Sequence, residues 1–171
     1  MIHLSYHPAF DAFHCIFRML RLKVRRDVRV IEVDRLRILD YYILFPWRAA
    51  LVRLPQTDLE VRRIAKRLED TQDYATLPTG EALLERMRPS QTAAMQTMAQ
   101  DGVIDPAMLR DGVVQFLQFS LPDELLKRIA ARNQSEADKM KIVDALSAYP
   151  LLGPDGLKGR TSLLEHRYDK I

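Results

Sequence analysis

The side chains best placed to do chemistry cluster near the start of this chain. His7, Asp11 and His14 stand at i, i+4 and i+7, a spacing that puts three metal-ligating types on one face of a continuous helix. Pro8 argues against that use. A proline fits the first turn of a helix, where its missing N–H is not needed, so His7 falls ahead of the helix as its cap. His14 is then most simply a core imidazole bonded to a carbonyl. Cys15 is the only thiol. A nucleophilic thiolate needs a base and an exposed, electropositive setting; Cys15 lies among Phe13, Ile16 and Phe17 and reads as buried and inert. Asp123 and Glu124 followed by Lys127 have the flavour of a metal nuclease, but acids in a first helical turn are expected without catalysis. Lys158, Gly159, Arg160 and Thr161 follow a tight turn and offer two cations and a hydroxyl to a phosphate or carboxylate. The sequence contains no phosphate-binding glycine loop, dinucleotide fingerprint or nucleophile elbow. From the residues no catalytic, metal or cofactor site is assigned.

The elements that would carry these residues are mostly helical. From Pro8 to Leu22, Phe10, Phe13, Phe17 and Leu20 form one stripe, and Ala12, Ile16 and Met19 a second. A helix apolar on more than one side is covered on more than one side, so this is the expected central helix. Lys23–Arg29 interrupts the apolar period, and a short β-like pattern follows around Val28, Val30 and Val33. Asp34 is an N-cap candidate for a helix over Arg35–Phe45, ended by Pro46. Thr57 and Glu60 fit a capping box for a helix to about Asp70, with Val61, Ile64, Ala65 and Leu68 inward. A short helix is expected over Gly80–Arg88 and another, capped by Ser90, over Gln91–Gln100. Asp105–Pro106 starts a brief helix halted by Gly112, giving a helix-turn-helix-like region over residues 90–112. Val113–Phe119 is the best strand candidate. Helices follow over Asp123–Arg132, with Leu125, Leu126 and Ile129 inward, and over Glu136–Ala148, capped by Ser135. Gly153-Pro154-Asp155-Gly156 is a turn, flanked either by strands as a wing-like hairpin or by a terminal helix running to Tyr168. Met1–Ser5 is a lead-in or one strand. The fold class is therefore mainly α, a helical domain with a winged-helix-like portion and few short strands. The organisation is one domain over residues 1–171, helical over 1–75 and winged-helix-like over 76–171.

Composition bounds the function. No apolar run reaches the roughly 18 residues a membrane span needs, no basic leader precedes the first apolar stretch, and one buried cysteine suits a reducing compartment. A cytoplasmic protein is expected. The net charge is +3, yet Arg18–Arg37 carries eight basic residues against three acidic. Such a stripe fits a phosphate backbone or an acidic partner surface.

Three stretches together resemble the middle component of ABC-three-component systems, the group that includes Lamassu-type anti-phage defence. They are His-Pro-Ala-Phe-Asp-Ala-Phe-His-Cys-Ile-Phe-Arg-Met-Leu at 7–20, Arg-Leu-Arg-Ile-Leu-Asp-Tyr-Tyr-Ile-Leu-Phe-Pro at 35–46 and Gly-Leu-Lys-Gly-Arg-Thr-Ser-Leu-Leu-Glu-His-Arg-Tyr-Asp at 156–169. Arg86-Met87-Arg88-Pro89-Ser90-Gln91 and Gly102-Val103-Ile104-Asp105 agree. The resemblance implies a non-catalytic adaptor between an SMC/Rad50-like ABC ATPase and an effector, often a nuclease, in a complex that senses DNA. It supplies no site residues. From the residues themselves, Phe10, Phe17, Arg21, Trp47, Lys158 and Arg160 are assigned to partner contact, and Arg25, Arg26, Arg62 and Arg63 to nucleic acid. Two other readings stand beside it: a free-standing winged-helix DNA-binding regulator, and a small metalloenzyme using His7 and His14.

Overall fold

The computed structural model describes residues 7–71, 77, 78 and 80–164. The expected lead-in at Met1–Ser5 and the end of a terminal helix at Tyr168 lie outside them. The chain is mainly α, with helices α1 (Ala12–Arg26), α2 (Val33–Leu44), α3 (Leu59–Arg67), α4 (Gly80–Gln100), α5 (Pro106–Arg110), α6 (Asp123–Ser135), α7 (Ala137–Ser147) and α8 (Leu157–Thr161). Two short strands, β1 (Val30–Glu32) and β2 (Val113–Gln115), pair antiparallel with Ile31 opposite Val114. Ile104 bridges to Phe116 beside them.

The first helix begins later than its stripe suggests. Pro8–Phe10 is a single 3-10 turn, Asp11 is extended, and its carboxylate accepts the His14 amide at 2.8 Å as the N-cap of α1. The helix then runs through the charged stretch to Arg26. Its last-turn cations favour the helix C-terminus, and Asp27 closes it in the left-handed region at φ 47°.

The helix wrapped on all sides is α2, where α1 was expected. Every residue from Leu36 to Ile43 is buried, and α2 packs against α1, α4 and α7. Its N-terminus has no side-chain cap; Asp34 instead pairs with Lys158 at 2.8 Å.

The most instructive difference is α4. It is one helix of 21 residues with Pro89 inside it, where a break was expected. An interior proline removes a hydrogen bond and costs about 3 kcal/mol. Leu83, Leu84, Met87, Ala94, Met95 and Met98 are buried along the helix on both sides of Pro89, and that burial outweighs the lost bond. Ser90 is thus no cap. Its hydroxyl lies 2.8 Å from the Met87 carbonyl and 2.9 Å from that of Ala9, tying α4 to the turn before α1.

Other cap expectations fail for similar reasons. Thr57 and Glu60 make no capping box; α3 starts after Asp58, whose carboxylate accepts the Tyr149 hydroxyl. Ser135 ends α6 and bonds back to the Arg132 carbonyl, leaving Glu136 as the non-helical joint before α7. Leu126 is exposed while Ile129 is fully buried. The Gly153–Gly156 turn exists, but no wing hairpin follows it: Leu157–Thr161 is helical.

Candidate functional site

The start of α1 is held by a buried polar network. Arg18 donates to both oxygens of Asp40, Nε at 2.5 Å and Nη2 at 3.2 Å, and through Nη1 to the Pro8 carbonyl at 2.9 Å. Gln91 of α4 donates to the same carboxylate at 2.9 Å. Arg37 donates to Gln91 at 3.1 Å and to Glu85 at 3.0 Å. Arg18 and Asp40 are both buried. Burial opposes the Arg18 charge, but the Asp40 carboxylate outweighs it and holds the guanidinium above its ordinary pKa. The network clamps the first turn before α1, α1 itself, α2 and α4 together. Cys15 points its thiol at the same carboxylate, 3.6 Å away. Burial, with that negative charge beside it, pushes the thiol far above its ordinary range, so it is held protonated and unreactive.

This clamp fixes how the other side of α1 faces a groove. One wall comes from Phe13, His14, Phe17 and Arg21 of α1 and the end of α2. The opposite wall comes from Arg128, Ala131 and Arg132 of α6 and from Glu136 and Lys139 at the α6–α7 joint. The groove holds about 850 Å³, within the range of roughly 300–1,000 Å³ typical of binding clefts. Phe13 is 79% exposed on its rim, although it belongs to the apolar stripe of α1. Arg21 is buried at its base. Its Nε donates to Asn133 at 2.8 Å, and its Nη2 lies 2.8 Å from Glu136 Oε2. Neither atom of that ion pair makes an aligned hydrogen bond. Glu136 is also met by Lys139 at 2.8 Å and Arg132 at 3.2 Å. Burial works against its charge, but the Lys139 hydrogen bond and the surrounding cations hold its carboxyl below the ordinary value.

The groove thus combines an apolar rim, a small opposite wall and clustered cations. Among the described residues, no group of three or more His, Cys, Asp or Glu is arranged to hold a metal ion. Asp11 binds His14 Nδ1 at 3.0 Å, and His7 Nδ1 accepts the Ala9 amide at 3.1 Å. These side chains shape the helix start. Among the described residues no helix is long and apolar enough to cross a membrane.

A family model, that of the ABC-three component (ABC-3C) system Middle Component 5, matches residues 4–169. The chain belongs to this family. No curated protein and no solved structure matches it.

The assigned residues of this middle component are only partly gathered at the groove. Phe17 and Arg21 line it. Phe10 stands apart, 37% exposed, with the Arg86 guanidinium 5.2 Å from its ring. Trp47 packs edge-on against Phe45. Lys158 does not reach outward as expected: it is 6% exposed and paired with Asp34, because its segment is a helix turned onto the core. Arg160 lies 4.5 Å over the Tyr149 ring and donates to the Arg53 carbonyl at 2.7 Å. Both cations thus close the α8 region internally. Arg25 and Arg26 share Asp144 of α7, at 2.8 and 3.4 Å; Arg62 reaches the Val52 carbonyl at 3.4 Å, and Arg63 is exposed.

Phe13, Arg128, Arg132, Glu136 and Lys139 were not singled out from sequence. The signal for Phe13 was its place in the Phe10–Phe13–Phe17 stripe, which periodicity assigns to the core. Arg128 and Arg132 stand one turn apart on α6, which by itself reads as a solvated face.

Proposed function

We propose that this middle component is a non-catalytic adaptor bridging an SMC/Rad50-like ABC ATPase and an effector nuclease in a DNA-sensing, Lamassu-type anti-phage defence complex. The observation that carries the reading is the family match across nearly the whole chain. An open groove of about 850 Å³ between α1 and α6, with Phe13 on its rim, supports it by offering a concave surface to a partner. DNA contact belongs to the assembled complex in this reading, with Arg63 and the Arg25–Arg26 pair as its contribution. The free-standing regulator has less support, because the segment needed for its wing is helical and α5 has five residues.

Co-expression with the products of the two neighbouring genes, followed by affinity capture through this chain, tests the proposal. A stable complex containing an ATPase and an effector is expected, with no hydrolysis of ATP or DNA by the isolated chain. Elution as a lone monomer overturns it. A purified chain that binds DNA alone, with a steep salt dependence, would favour the regulator.

A further inference from the structure

We infer that the groove between α1 and α6 is the seat of an acidic amphipathic helix supplied by another subunit of the system. The inference rests on the adaptor reading and names the surface it uses. Two observations carry it. The first is shape: both walls are helices with their backbone hydrogen bonds made internally, so the groove offers no strand edge. What packs against two helices is a third, laying apolar side chains one turn apart into the cleft. Phe13 and Phe17, also one turn apart, form the ridge, and Ala131 leaves room opposite.

The second is charge. Arg18, Arg21, Arg128, Arg132 and Lys139 line the groove with Glu136 as its single acid; Asp40 behind neutralises Arg18, and Glu124 beside the groove meets Arg128 at 3.3 Å. The surplus is positive and flanks an apolar floor, which suits carboxylates on either side of an apolar stripe.

A nucleic acid fits less well. Single-strand grooves combine free cations with stacking aromatics. Of the phenyl rings in the lining only Phe13 is strongly exposed, while Phe17 packs against the core, so the groove offers no row of stacking aromatics.

The test uses the full chain co-expressed with the ATPase and effector subunits. The variants are Phe13→Asp, Ala131→Trp and the double substitution Arg128→Glu with Arg132→Glu. Phe13 and Ala131 are exposed, so a wild-type unfolding midpoint is expected for their variants; the charge reversal takes a partner from Glu136, so every variant's midpoint is measured and capture is compared at a temperature where each is folded. Phe13→Asp and Ala131→Trp should each weaken capture of one subunit at least about tenfold while the other subunit is retained. The charge reversal should weaken the same subunit several-fold at physiological salt and less at high salt. Wild-type recovery of both subunits by Phe13→Asp and Ala131→Trp overturns the inference and leaves the adaptor reading standing. A wild-type chain that captures neither subunit removes both. Two further results overturn the groove assignment alone. One is Phe13→Asp converting a dimer of this chain to monomer with both subunits retained, which would make a second copy the occupant. The other is the same substitution abolishing DNA binding with the complex intact.

Discussion

Asp40 shows how much one buried carboxylate organises. It receives Arg18, Gln91 and the Cys15 thiol and so fixes the pose of α1. Removing one partner of a buried ion pair leaves the other charge uncompensated. Asp40→Ala is expected to destabilise the fold by about 3–5 kcal/mol in urea titration, and alkylation of Cys15 should be slow in the native protein and rapid after unfolding. Glu136 sets a pH dependence. Its carboxyl is held below the ordinary 4.5 when folded, so its contribution to stability is present above that value and is lost as pH falls through the folded pKa. The stability difference between wild type and Glu136→Gln should therefore shrink as pH falls below 4.5 and through the folded pKa. In sequence, Asp40 sat beside the Leu36–Leu39–Ile43 stripe with nothing to mark it. A single charge on an apolar face is legible as an anomaly, but its partners come from residues 18 and 91, which no local pattern links to it.

At the scale of elements, most helices were legible and their ends were not. Apolar periodicity located α1, α2, α3, α6 and α7 because burial is periodic. Caps went astray at Ser90 and Ser135 because a hydroxyl serves equally well bonded to a carbonyl of its own helix, and at Thr57 because α3 starts after Asp58. Proline carried a similar ambiguity. Pro46 ended α2 as expected, whereas Pro89 sits within α4, where burial on both sides of it overrides local preference. Pro89→Ala is expected to raise stability by about 1–3 kcal/mol, by restoring an amide donor and removing the ring, as read by the urea midpoint. A loss of stability would mean that the helix uses the distortion. The opposite result is expected at Gly156, which precedes α8. A Cβ there would run into the Leu152 carbonyl, so Gly156→Ala should lower the thermal midpoint by the equivalent of about 2 kcal/mol or more.

For the molecule as a whole, the groove was the least legible feature. Its walls come from residues 13–21 and 128–139, and its opening depends on how far apart α1 and α6 stand, which composition does not encode. The sequence did mark α1 as apolar on more than one side, and Phe13, on one of those stripes, stands 79% exposed at the groove rim instead of covered. The true centre is α2, sealed by α1, α4 and α7. Its amides should exchange hydrogen only through global unfolding, giving the slowest rates in the chain; faster exchange in α2 than in α7 would contradict that packing. The same seal imposes a timetable during synthesis. The helix that closes α2 from one side, α7, is encoded about a hundred residues later, so at roughly 5–20 residues per second an emerging chain carries that side of α2 uncovered for several seconds. Newly made copies are thus most exposed to chaperones, proteases and wrong pairing just before translation finishes. A stop codon ahead of α7 would yield a fragment marked for disposal, with no working half of the protein.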